Sequence, residues 1–81
     1  MEVKLLSNLQ CGEKGKIVKI RGAAALHRYL FELGLFVGRM ISIEKAALVP
    51  LGEAIEVRIK SGVLSLETEV AGNIQVKVQK H

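Results

Sequence analysis

Apolar and polar residues alternate in twos along most of this chain, the signature of strands with one face buried. The cleanest case is residues 54–60, where Ile55, Val57 and Ile59 point one way and Glu56, Arg58 and Lys60 the other. Residues 16–21 set Val18 and Ile20 against Lys19 and Arg21, and Gly22 ends the run. Residues 40–46 set Ile41 and Ile43 against Ser42 and Glu44, and Ile74, Val76 and Val78 alternate with Gln75, Lys77 and Gln79. Residues 1–5 and 63–67 supply two shorter strands, the second entered through a two-residue hairpin turn at Ser61-Gly62. Between them residues 7–15 and 48–53 read as loops, punctuated by Gly12 and Gly15 and by Pro50. Residues 68–72 predict a tight helical turn that lays Ala71 against the core, and Lys80-His81 reads as a frayed end.

One segment breaks the period. At about 100° per residue, Leu26, Tyr29, Leu30 and Leu33 share a helix face, with Arg28 and Glu32 opposite. Gly34 follows the last periodic residue, where a left-handed cap costs glycine least, so the helix ends at Leu33. Leu35-Phe36-Val37-Gly38 then turns the chain into the next strand. The only two phenylalanines lie here, Phe31 off the apolar stripe and Phe36 in the turn, and both are expected to face outward.

Five or six short strands with frequent turns predict a mainly-β fold, a small closed or half-closed barrel that leaves few free edges, with one inserted helix plugging an end. The expected core comprises Val18, Ile20, Leu30, Leu33, Ile41, Ile43, Ile55, Val57, Ile59, Leu66, Ala71, Ile74 and Val76. With 81 residues the chain reads as a single domain, 1–81. Such a domain buries only about 60 to 65% of its unfolded surface. No apolar run reaches the roughly 18 residues of a membrane span, and one cysteine, Cys11, forms no intrachain disulfide. A cytoplasmic location is expected.

The net charge of +4 comes from twelve Lys and Arg scattered among eight Glu, so charge alone predicts a solvated surface and no nucleic-acid partner. Catalytic chemistry is sparse. The chain has no Asp, two His and four isolated Ser, which leaves no nucleophile with local support and predicts no enzyme. Cys11, His27 and His81 lie apart, and Glu67 with Glu69 offers only two carboxylates, so neither a metal site nor a cofactor is expected. Gly12-Glu13-Lys14-Gly15-Lys16 lacks the phosphate-loop spacing and leads into a strand. What remains is surface. The helix and the turn after it form the candidate partner-binding face, with Phe31 and Phe36 as apolar anchors, Leu35 beside them, and Arg28, Glu32 and Arg39 as a polar rim. Phe36 has the alternative of folding back over the barrel's open end.

Four blocks carry a resemblance to a known family: Leu9-x-x-Gly12-x-x-Gly15-x-Ile17-x-x-Ile20; Leu30-x-x-Leu33-Gly34-Leu35-x-x-Gly38-x-x-Ile41; Pro50-Leu51-Gly52 with Ile55-x-Val57; and Leu66 with Ala71-x-x-Ile74-x-Val76. In this order they resemble the FeoA family of ferrous iron transport accessory proteins. The resemblance implies an SH3-like barrel with an inserted helix and a cytosolic protein that binds FeoB, the membrane ferrous iron transporter, and modulates its GTPase or transport activity. Membrane association would then run through the partner. The alternative it implies is an SH3-like interaction or regulatory module related to the C-terminal domain of iron-dependent repressors. The chain departs from the family pattern at Tyr29 and Glu67, where Arg is frequent, and at Val37 and Ala54, where Pro is frequent.

Overall fold

A computed structural model describes residues 2–46 and 54–79. The elements run β1 (Val3–Leu5), a 3-10 turn (Leu6–Asn8), β2 (Lys14–Ile20), α1 (Ala24–Leu33), β3 (Met40–Lys45), β4 (Ala54–Ile59), β5 (Gly62–Glu67), the single-turn α2 (Thr68–Ala71) and β6 (Ile74–Val78). All strand pairs are antiparallel, in the order β1-β6-β2-β3-β4-β5, so the last strand inserts between the first two. The mainly-β architecture with one inserted helix is thus found, and Ala71 on α2 is fully buried as the pattern predicts. The expected loop over 48–53 and the end at 80–81 lie outside the described residues.

The inner face of the sheet holds the core. Ile41, Ile43, Ile55, Val57, Ile59, Leu66, Ile74, Val76 and Val78 are all at most 5% exposed, and among the described residues no polar or charged residue is buried. At roughly 1.5–3 kcal/mol per fully buried aliphatic side chain, this wall is the main source of stability.

Three expectations need correction. In β2 the buried apolar side chain is Ile17, while Val18 is half-buried. Ile17 pairs with Val76 and Lys19 with Gln75, so Val18 is an extra residue in a β-bulge, which resets the alternation and lets Ile20 pack against the core further on. The hairpin turn is Lys60-Ser61, one residue earlier than expected, because Ile59 pairs with Gly62. Tyr29 is 51% exposed: Leu26, Leu30 and Leu33 at spacings of four and three define a narrow stripe, and Tyr29 falls at its margin.

The core also takes three leucines that periodicity does not reveal. Leu6 and Leu9, at most 1% exposed, are brought to one side by the three-residue repeat of the 3-10 turn, which packs against α2 and β6. Leu35, the third, belongs to the end of α1.

Candidate functional site

Helix α1 is ten residues long and starts at Ala23 with no side-chain cap, so in isolation it would be marginal. Its other end is built firmly. The Gly34 N–H donates to the Phe31 carbonyl at 2.9 Å and the Leu35 N–H to the Leu30 carbonyl at 2.8 Å, the double bond pattern of a Schellman cap. Gly34 adopts φ +95°, a conformation that calls for glycine, and a Cβ there would press on the terminal methyl of Ile59 at 2.9 Å. The cap brings Leu35 onto Leu30, and both are fully buried. Leu35, expected beside the anchors on the surface, is instead a core residue that forms the floor of the site.

From Leu35 the chain makes a four-residue turn closed by the Arg39 N–H on the Phe36 carbonyl at 3.0 Å. Gly38 at its third position has φ +100°, the value a type II turn requires and one that suits glycine. Two bonds tie this turn to β2, Gly38 N–H to the Ile17 carbonyl at 2.8 Å and Ile17 N–H to the Arg39 carbonyl at 2.9 Å. The aromatic residue of the turn is thus set on a fixed support.

Phe31 and Phe36 meet with ring centroids 5.6 Å apart and planes tilted by 49°. The Arg39 guanidinium carbon lies 5.1 Å from the Phe36 centroid, within cation-π range, and the same side chain leans toward Gly34 at the carbonyl end of α1, where a cation is favoured. Its Nε is buried and has no hydrogen-bond partner. Phe31 remains 65% exposed, whereas Phe36 is half-buried between its neighbours. The two rings, with Ile20, His27, Arg28, Leu35 and Val37, line a shallow groove of about 350 Å³.

Of the six residues singled out from the sequence, Arg28, Phe31, Leu35 and Phe36 converge on this groove, Leu35 from beneath, and Arg39 joins them through Phe36. Glu32 is exposed on the helix and does not line it. His27, Val37 and Ile20 were missed: the first two flank the aromatics in sequence, but Ile20 arrives from β2 through tertiary packing.

Elsewhere the chemistry is slight. Exposed Cys11 donates its thiol to the Glu44 carbonyl at 3.3 Å, and among the described residues no three His, Cys, Asp or Glu gather as metal ligands. Hydrogen bonding from Arg58, and then its charge, hold the Glu44 carboxyl below its ordinary pKa and raise that of Arg58 in turn.

The model of the FeoA domain matches residues 4–78. The chain belongs to the FeoA family. A crystal structure of an iron uptake regulatory protein, FeoA, superposes with a TM-score of 0.86 at 26% identity, covering 96% of this chain and all of the other. A FeoA-like protein from Clostridium acetobutylicum gives a TM-score of 0.81 at 27% identity, covering 100% of this chain and 93% of its own. A manganese-dependent transcriptional repressor shares the fold at 20% identity and a TM-score of 0.81, over 95% of this chain but 42% of the repressor. No curated protein matches significantly. The FeoA domain here thus has the SH3-like fold common to FeoA proteins and to part of such repressors, in a family associated with iron transport. Among the described residues no helix is long and apolar enough to cross a membrane.

Proposed function

We propose that this FeoA domain is a cytoplasmic, non-enzymatic accessory module of ferrous iron uptake, which docks through α1 and its turn on the cytosolic region of a FeoB-type transporter and modulates its GTPase or transport activity. The observation that carries the reading is Phe31: a large aromatic 65% exposed, set against a second ring that a capped helix and a tied turn hold in place. Interface energy concentrates in such rigid aromatic anchors with a polar rim. Arg28 and Arg39 supply the rim nearest the groove, and Glu32 extends it along the helix.

The test pairs binding with stability. Phe31→Ala is expected to leave the melting temperature nearly unchanged, since surface substitutions stay within about 0.5 kcal/mol, and to weaken capture by the immobilised cytosolic region of the transporter. Phe36→Ala should weaken capture too while lowering the melting temperature, because Phe36 is half-buried. Normal capture of a well-folded Phe31→Ala variant overturns this docking surface.

A further inference from the structure

The outward face of the sheet gathers cations that are dispersed in the sequence. Val3 pairs with Lys77, Lys77 with Lys16, and Lys16 with Met40, one continuous row across four adjacent strands. A second row runs Lys14, Ser42, Arg58, Val63. Lys14 and Lys16 lie two apart on β2 and so share the face that joins the rows. Two shallow grooves meet at Met40, one reaching Lys16 and Lys77, the other Lys14, Arg58 and Lys60. Among the described residues no acidic one lines either. Among the described residues Lys14, Lys16, Lys60 and Lys77 make no ion pair, while Arg58 is already engaged by Glu44.

We propose that this face is a peripheral membrane surface that takes anionic lipid headgroups. Its chemistry favours lipid over the other polyanions. A guanidinium fork is the group that clamps a carboxylate or phosphodiester in fixed geometry, and the face's one arginine holds Glu44 through two bonds, at 2.9 and 3.3 Å. The free cations are all lysines, mobile point charges on long apolar stems that suit a fluid headgroup layer. Among them stand aliphatic side chains, Met40 at 45%, Val63 at 45% and Val3 at 52% exposure, which can enter the interface; the face has no aromatic ring on which a base could stack. The face shares no residue with the groove at Phe31, so it acts independently of docking on a transporter.

Flotation of the full chain with vesicles tests this. The protein is expected to float with equal parts of phosphatidylcholine and phosphatidylglycerol at low salt, to be released at high salt, and to ignore phosphatidylcholine alone. At roughly fivefold per lysine, Lys14, Lys16, Lys60 and Lys77→Gln together should lower partitioning several-hundredfold, to background. Lys19→Gln with Arg21→Gln, cations at the far end of β2 that stand in neither row and line neither groove, should lower it far less than the quadruple variant does, Met40→Ser should weaken it, and Phe31→Ala should float like the wild type. Melting temperatures confirm that each variant is folded. The proposal is overturned if the wild type ignores phosphatidylglycerol, if the quadruple variant floats normally, if the control pair abolishes binding equally, or if polyglutamate or a single-stranded oligonucleotide binds more tightly than the vesicles in the same buffer.

Discussion

Strands β3 and β4 bury Ile41, Ile43, Ile55, Val57 and Ile59 to 5% exposure or less, whereas helix α1 buries only Leu30 and leaves Tyr29 and Phe31 more than half exposed. On β3 and β4 every large apolar residue but Met40 goes to the core. The helix spends some of its own on solvent, although a domain this small has little apolar surface to spare. The contrast separates residues that hold the fold from residues that the fold holds up, and it predicts that similar substitutions in the two regions will differ by several kcal/mol.

The largest effect is expected at Val57→Asp. Val57 is fully buried between Ile43 on β3 and Leu64 on β5, and among the described residues no polar or charged one is buried to meet a carboxylate. An unpaired buried charge costs several kcal/mol, of the order of the whole stability of a small domain. Far-UV circular dichroism against urea should show no cooperative transition. A cooperative, native-like variant would break the comparison at its stronger end.

Leu35 sharpens the boundary from the other side. It sits four residues from Phe31 and one from Phe36, yet the helix cap seats it on Leu30. Leu35→Ala should cost about 2–5 kcal/mol, the range for truncating a buried leucine, while Phe31→Ala costs almost nothing. Equal urea midpoints for the two variants would mean that the helix region has no inside and outside of the kind described.

The period-two strands were legible in the residues because each has a clean inner face: Ile55, Val57 and Ile59 on β4, and Ile74, Val76 and Val78 on β6, lie where alternation puts them. The end of α1 was legible too, since Gly34 meets a local conformational demand. What alternation could not show were events set by a partner strand. Val18 reads as an inward residue until the pairing of Ile17 and Lys19 with β6 makes it a bulge. Leu6, Leu9 and Leu35 lie in turns, where no period exists to say which way they point. The same limit applies to the surfaces. The outward placement of Phe31 follows from helical phase alone, but Leu35 looked like its companion because a cap contact is tertiary. Lys14, Lys16, Lys60 and Lys77 looked scattered because only register gathers them.

The smallest effect belongs to the outer side of the same strands. Glu44 sits at the irregularity between Ile43 and Lys45, and its carboxylate accepts Arg58 Nε at 2.9 Å and Nη2 at 3.3 Å. The hydrogen bond, and after it the opposite charge, depress the Glu44 pKa in the folded state. A depressed carboxylate stabilises the fold above its unfolded pKa, and that contribution is lost as pH falls through the lower, folded value. Arg58, raised by the same pair, would lose its share only in strong alkali, so acid is the informative direction. Both side chains are well exposed, so salt screens the pair and its contribution is slight. Glu44→Gln should therefore lower the melting temperature marginally at neutral pH and low salt. The difference should vanish in high salt, and again once the pH falls below the folded-state pKa of Glu44. A large deficit that survives both treatments would show that these strands draw stability from their outward face as well as their inward one, and the contrast with α1 would lose its basis.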